Sequence, residues 1–483
     1  MRELKIKAVR GVFWAMTSSS LVQFLKLMIK IILARLLLPS DFGLFAIAIL
    51  VITTLNLFQN LGIKEALIHR QKNIKKALNT SFFVILIFGF LLTLVGFFSA
   101  SFVANFFQES LAEPIIKILS ISFFIYSFNS IPHVKLIKEL KFKKSLIPYI
   151  GSTFFFGITS IYLAFSGFGV WSLVFGYLAD SITNVILYWV IAPFKPSLDF
   201  DWTIAKKLLG YGKHIVGFSI SVFIVTNLDN AIVGKILGTS ALGFYVLAYT
   251  ISNIPVTRMT YIINMVAFPV YSILQKNKGK LKKAYLKVLK LTSLITIPAA
   301  AGIFILAPDL VNVLLGENWS PMIPVLKILC FLGLFRSVEA TMGPVFKGIG
   351  KPKILNKIKL YQLILFLVLI FPLTFKFGVI GTAVAVTFVY FFDFILHYAN
   401  LIRIIKGIGW EIALICGRFL IATLVMIILI FLLKTFVFQK MLLIHLIFLI
   451  LIGGIVYIIL SLLIDKNLKK EIIEIYKLRK KNE

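Results

Sequence analysis

Arg35-Leu-Leu-Leu-Pro-Ser-Asp-Phe-Gly43-Leu-Phe45-Ala-Ile-Ala48 returns at an offset of 200 as Lys235-Ile-Leu-Gly-Thr-Ser-Ala-Leu-Gly243-Phe-Tyr245-Val-Leu-Ala248. A second pair, Phe168-Gly169-Val170 and Phe377-Gly378-Val379, repeats at an offset of 209. Each stretch sits at a turn between two apolar runs, marked by Pro, Gly or Ser. The first pair falls at the turns into the second and eighth expected helices, and the second pair at the starts of the sixth and twelfth. The repeat unit therefore spans six membrane helices with their loops. Six is even, so both copies enter the bilayer in one orientation. Two such copies are expected to be related by an axis along the membrane normal, with a binding site between them.

That the runs are membrane spans follows from composition. Of 483 residues, 60% are hydrophobic and 14% charged, with a mean hydropathy of +0.98. Soluble domains carry about a quarter of their residues charged, so this chain cannot cover a water-facing surface. The apolar N-terminal stretch runs past Lys26 and Lys30 to Leu38 without a small-residue cleavage site, which predicts an uncleaved first helix. About fourteen helices of spanning length are expected, the first at 10–38 and the last at 440–464. Cys330 and Cys416 lie inside apolar runs and read as small packing residues, with no disulfide or metal framework.

The formal charge of +32 does not point to nucleic acid, because a nucleic-acid reader carries its basic residues on a folded soluble face. Here they cluster in alternate loops. With the N-terminus taken as inside, the inward segments include Lys135 to Lys144, Lys276 to Lys290, Lys347 to Lys359 and the tail from Lys466 to Lys481. The outward loops are short and lean acidic, with Asp41, Glu109, Glu113, Asp309 and Glu317. The bias predicts a bacterial cytoplasmic membrane protein with both termini in the cytoplasm. Anionic membrane lipids are the expected partners of the basic loops. The fold class expected is an all-α polytopic membrane protein: an N-terminal six-helix lobe over 1–207, a C-terminal six-helix lobe over 208–406, two extra helices over 407–465 and a basic tail over 466–483.

Charges inside spans cost several kcal/mol each unless they face protein or water. Gln23, Lys26 and Lys30 lie three and four residues apart and share one helical face, with no carboxylate in the same helix. Lys26 is too deep to snorkel easily. Arg258 sits beyond midspan, after the kink expected at Pro255. Lys26, Lys30 and Arg258 are thus the candidate lining of a wet, basic cavity. Gln59, Asn227, Asp229, Asn230 and His214 are further polar candidates, Asp229 and His214 being able to carry a proton. Asp180, Asp393, Arg418 and the Arg336–Glu339 pair read as charges that hold helices together; at i,i+3 the last two can neutralise each other.

No catalytic constellation stands out. Gly348-Ile-Gly350-Lys351-Pro352 lacks the leading glycine spacing and the Ser or Thr of a phosphate-binding loop, so ATP use by this chain is not expected. No cofactor is expected; coupling to a proton or a sodium gradient is left open. A membrane-embedded polysaccharide polymerase would need large outer loops, and these are short.

Leu36-Leu37-Leu38-Pro39-Ser40-Asp41-Phe42-Gly43, with Asn60-Leu61-Gly62 running into Ala66-Leu67-Ile68-His69-Arg70, resembles the polysaccharide transport (Wzx-type) family of the MOP flippase superfamily. Leu140-Lys141-Phe142-Lys143-Lys144, Phe168-Gly169-Val170-Trp171, Asn227-Leu228-Asp229, Leu242-Gly243-Phe244-Tyr245, Phe268-Pro269 and Gly316-Glu317-Asn318-Trp319 add to the resemblance. It implies two six-helix lobes around a central cavity. The cargo implied is an oligosaccharide on a polyprenyl pyrophosphate, flipped from the cytoplasmic to the outer leaflet by alternating access, with the polysaccharide polymerase machinery as an associated partner. A pyrophosphate would need fixed cations near midspan, which Lys26, Lys30 and Arg258 could supply. Lysine offers a point charge where arginine would offer a fork. Two relatives in the superfamily are competing readings. A lipid II flippase shares the architecture; so does a multidrug antiporter for organic cations, which should hold carboxylates at its cavity.

Overall fold

The computed structural model describes every residue except 1–20, 60–61, 71, 439–441, 466–467 and 469–483, and leaves aside the side chains of 65, 69, 209, 211–222, 225 and 258–266. The described residues are mostly helical, with no strand among them. Hydrocarbon offers no hydrogen-bond partner, so each segment must satisfy its backbone internally, and a helix does this alone. The N-terminal elements are α1 (21–36), α2 (Pro39–Gln59), α3 (Ile63–His69), α4 (Ile74–Phe107), α5 (Ala112–Ser127), α6 (Ser130–Lys138), α7 (Phe142–Phe165) and α8 (Val170–Ile191). They continue as α9 (Trp202–Leu274), α10 (Lys278–Asp309), α11 (Ile323–Gly348), α12 (Lys353–Ile404), α13 (Ile408–Phe436) and α14 (Leu443–Ile464). Among the described residues ten helices are long and apolar enough to cross a membrane, or eleven if α5 and α6, bent by 42°, form one span.

Two of these helices are hairpins. α9 runs for 73 residues with a break at Gly238 (φ 81°), and α12 for 52 residues with a break at Gly378 (φ 60°). In a straight helix Asp229 and Tyr245 would stand about 24 Å apart, yet the Tyr245 hydroxyl donates to the Asp229 carboxylate at 2.8 Å. Thr374 and Thr382 would be about 12 Å apart, and their hydroxyls meet at 2.8 Å. Positive φ is what lets the chain reverse, and glycine is the residue that adopts it without penalty. The offset-209 repeat reappears in the backbone itself. Gly169 has φ 53° and ψ −133°, and its counterpart Gly378 has φ 60° and ψ −142°.

The offset-200 repeat reappears as a reciprocal contact. A Cβ on Gly43 would lie 1.8 Å from the carbonyl oxygen of Thr239, and a Cβ on Gly243 would lie 1.9 Å from that of Pro39. Residue 239 is the repeat counterpart of 39, as 243 is of 43. Each copy therefore offers the other the same two positions, which is the signature of a local two-fold contact. The first turns of α2 and of the second half of α9 touch backbone to backbone because glycine stands at both crossing points.

The chain divides into two compact units, Met1–Val246 and Leu247–Glu483. The first unit takes in the first part of α9, which the glycine contact ties to α2. Within the N-terminal unit, α4 and α5 pack antiparallel on small residues. A Cβ on Gly89 would meet Ser127 Oγ, and one on Gly96 would meet Ser120 Oγ. α7 and α8 do the same through Ser160 and Gly176. Small and hydroxylated side chains let backbones approach where lipid gives no hydrophobic push between helices. The C-terminal unit packs α10 against α11, α13 and α14. Ion pairs reinforce it: Lys290 with Asp465 at 2.8 Å, Arg418 with the same carboxylate at 3.7 Å, and Lys434 with Asp309. Large apolar side chains face outward instead, Phe98 and Phe102 each being 75% exposed.

Candidate functional site

The N-terminal unit holds a polar cavity of about 340 Å³. Five helices aim polar side chains into it. α5, the bend after it and α6 supply Tyr126, Asn129, Ser130 and His133, a run of i, i+3, i+4 and i+7. α8 supplies Tyr177, Asp180, Asn184 and Tyr188, α7 supplies Tyr149, Ser152 and Thr153, and α2 supplies Asn56 and Gln59. Lys26 enters from α1 and Lys64 from α3. The charged lining is thus two lysines against one aspartate.

Hydrogen bonds fix the walls. Gln59 is buried and donates its amide to the carbonyl of Phe123 at 2.9 Å, tying α2 to α5. The Tyr126 hydroxyl donates to Asp180 at 2.7 Å, so the carboxylate is engaged by α5 while it lies on α8. Asn129 donates to Asn184 at 2.8 Å, and Asn184 donates to Ser152 at 3.4 Å, stitching α6, α8 and α7 together. The His133 ring stands 5.4 Å from that of Tyr188, edge to face, and Tyr149 stands 6.3 Å from Tyr188. Such a wall offers aromatic faces, amides and hydroxyls to a neutral polar guest, and ammonium groups to an anionic one.

Of the residues singled out in the sequence, Lys26 and Gln59 meet in this cavity. Lys30 lies one turn further along α1, half-buried, and Gln23 is exposed; neither is among the cavity's lining. Asp229 is buried and takes its hydrogen bond from Tyr245 at 2.8 Å. Asn227 turns back on its own helix, donating to the Phe223 carbonyl at 3.1 Å, and the Asn230 amide donates to Asp229 at 2.9 Å. The side chains of His214 and Arg258 lie outside the described residues. Arg336 donates to the Tyr249 hydroxyl at 2.9 Å and to Asn253 at 3.1 Å, while Glu339 faces His397. Helical spacing proposes only local partners, and here side chains from neighbouring helices supply the contacts. Tyr126, Asn129, His133, Asp180 and Asn184 were not read as site residues; their signal was a polar stripe of period 3.6 inside apolar spans.

A family of polysaccharide biosynthesis proteins matches residues 32–324, more than half of the chain. The chain belongs to this family. The lipopolysaccharide biosynthesis protein WzxC of Escherichia coli K12 is 26% identical over 411 residues, covering 84% of this chain and 83% of that protein. The teichuronic acid biosynthesis protein TuaB of Bacillus subtilis is 26% identical over 299 residues, covering 60% of this chain and 61% of TuaB. In fold, the chain is similar to the lipid II flippase MurJ in an inward closed conformation, with a TM-score of 0.70, 16% identity, and coverage of 95% of this chain and 99% of that one. The chain is a multi-pass membrane protein with a flippase-like fold.

Proposed function

We propose that this protein is a flippase for polyprenyl-linked oligosaccharide precursors of a surface polysaccharide, carrying them from the cytoplasmic to the outer leaflet by alternating access. The observation that carries this reading is the polar cavity inside an otherwise apolar bundle. Moving a sugar headgroup and a multiply charged phosphate through bare hydrocarbon would cost tens of kcal/mol. A wall of amides, hydroxyls and tyrosine rings, with Lys26 and Lys64 against a single Asp180, replaces the water the headgroup leaves behind. Family membership, and relatives named for lipopolysaccharide and teichuronic acid biosynthesis, support the same cargo class. The protein acts as a carrier without chemistry of its own. It sits in the cytoplasmic membrane with both termini inside, where the lysine-rich loops meet anionic lipid heads. The polymerase that joins the delivered units would be its neighbour.

A cavity built for organic cations would favour carboxylates over lysines, and the lining runs the other way. Binding to the purified protein tests the reading directly. A polyprenyl-pyrophosphate oligosaccharide should displace a labelled copy of itself, with the polyprenyl monophosphate and an organic cation much weaker. Tight binding of the organic cation with no affinity for the lipid-linked sugar would sink the proposal.

A further inference from the structure

A second group of titratable side chains lies in the C-terminal unit, apart from the polar cavity. Glu339 on α11 and Asp393 and His397 on α12 each bring one ring nitrogen or carboxylate oxygen within 4.8 Å of the others'. His397 and Asp393 are fully buried, and Glu339 is 15% exposed. The hydrogen atoms can be assigned from the partners. His397 Nδ1 lies 2.9 Å from the backbone carbonyl oxygen of Asp393. A carbonyl can only accept, so Nδ1 carries a hydrogen. That leaves Nε2 as the acceptor nitrogen of a neutral imidazole, buried without a hydrogen-bond partner and 3.3 Å from a carboxylate oxygen of Glu339. Two lone pairs cannot face each other in a dry interior without cost. A proton between them removes the conflict, whether it rests on the imidazole or on the carboxyl.

The surroundings allow that proton to come and go. Asp393 Oδ1, buried and without a hydrogen-bond partner, stands 3.7 Å from His397 Nδ1. Its other oxygen lies 3.4 Å from Lys359 Nζ, whose side chain is 47% exposed and also donates to Gln362 at 2.7 Å. Arg336, one turn before Glu339, adds a second cation, although its hydrogen bonds go to Tyr249 and Asn253 and its guanidinium lies over the Tyr390 ring. From α10, Tyr285 meets Thr341 at 3.3 Å, and Lys282 is paired with Glu411 of α13 at 3.0 Å. Two carboxylates against Lys359 and Arg336 make the group neutral when the pair is empty and +1 when it is loaded. Neither state strands a large charge. The chain of groups is exposed at Lys359, dry at Asp393 and His397, and slightly exposed again at Glu339.

We infer that Glu339 and His397 form a proton-binding pair, steadied by Asp393 and Lys359, through which the C-terminal unit senses pH. Its use in coupling transport to a proton gradient rests on the flippase reading; proton binding itself does not.

Infrared difference spectra between acid and alkaline pH, taken on the full-length protein in lipid nanodiscs after treatment with EDTA, test the site. Wild type should show a titrating imidazolium or protonated-carboxyl band that disappears in both Glu339→Gln and His397→Gln. In Asp393→Asn it should titrate about one pH unit lower, a tenfold loss of proton affinity. Melting curves on each variant separate this from misfolding. Superimposable spectra for wild type and folded Glu339→Gln would overturn the inference. So would one equivalent of zinc held by the untreated protein, with no titrating band after its removal. In liposomes a pH difference should change wild-type flipping several-fold and leave Glu339→Gln unmoved. A titrating pair in a protein that flips no lipid-linked sugar would refute the flippase reading and leave the proton site standing.

Discussion

Gly43→Ala is the sharpest test of the local two-fold contact. The new methyl would sit 1.8 Å from the carbonyl oxygen of Thr239, with the Thr239 carbonyl carbon at 2.5 Å and Cα at 2.9 Å. A carbon–oxygen contact needs roughly 3.3 Å, so the first turn of α2 and the α9 hairpin must part by about 1.5 Å. All three obstructing atoms are backbone, and no side chain can rotate away. Alanine gains up to about 1 kcal/mol over glycine in helix propensity, while overpacking a fitted contact costs about 1–3 kcal/mol and sometimes more. A forced separation of about 1.5 Å against rigid backbone puts the cost at the upper end of that range, about 3 kcal/mol, so the steric term wins, for a net loss of about 2 kcal/mol. Gly243→Ala should cost nearly the same, since its Cβ would lie 1.9 Å from the Pro39 carbonyl oxygen. The reciprocity makes a further demand. Once one methyl has parted the helices, the second enters the same gap, so the double variant should fall short of the sum by at least about 1 kcal/mol. Equilibrium unfolding in mixed micelles measures this, with Gly417→Ala as control because nothing lies within 4 Å of its Cβ position. A neutral single variant, or a double that is additive within about 0.5 kcal/mol, would refute the reasoning.

Three other expectations follow from single contacts. Thr374→Cys with Thr382→Cys should oxidise to a disulfide across the Gly378 hairpin, seen as a mass shift and loss of alkylation; in a straight helix the two could not meet. The Asp201 carboxyl is held below its ordinary value of 3.8, first by the Ile204 amide it caps and then by Lys76 at 3.3 Å. It therefore adds stability above pH 3.8 that is lost as pH falls through its lower folded value. Acid titration of the melting temperature should show a loss in that window that Asp201→Asn removes. Asp309→Asn leaves Lys434 without its partner at 29% exposure, and should cost about 1–3 kcal/mol, less than a fully buried pair. Replacing both by leucine should restore most of that in the same unfolding assay, and a double variant as weak as the single would contradict the account.

Much of the fold was legible because the repeat is written in residues with strong backbone preferences. Gly169 and Gly378 adopt nearly the same conformation, and Gly43 and Gly243 meet each other's copies. The candidate site was legible only in part. Lys26 and Gln59 drew notice as polar groups in apolar spans, and they do line a common cavity. Asp180 was read as a lone helix-pairing charge, because the stripe it shares with Tyr177, Asn184 and Tyr188 shows only when neutral polar residues are counted with charged ones. Tyr126 and His133 sit on either side of the bend between α5 and α6, whose angle depends on tertiary packing. The Arg336–Glu339 spacing suggested mutual neutralisation. Yet Tyr249 and Asn253 from α9 take the guanidinium's hydrogen bonds, and the Glu339 carboxylate stands 3.3 Å from His397 Nε2 of α12.

The most direct test is translocation itself. Purified protein in liposomes would be given a polyprenyl-pyrophosphate oligosaccharide in one leaflet, and its arrival in the other followed, for wild type, Lys26→Ala and Gln59→Leu. The account predicts that wild type moves the lipid and that the folded variants slow it at least about tenfold, the loss of one charge-assisted hydrogen bond or its equivalent. Transport at the wild-type rate in both variants would place the headgroup's path outside the cavity, and no transport by wild type above empty liposomes would contradict the central claim.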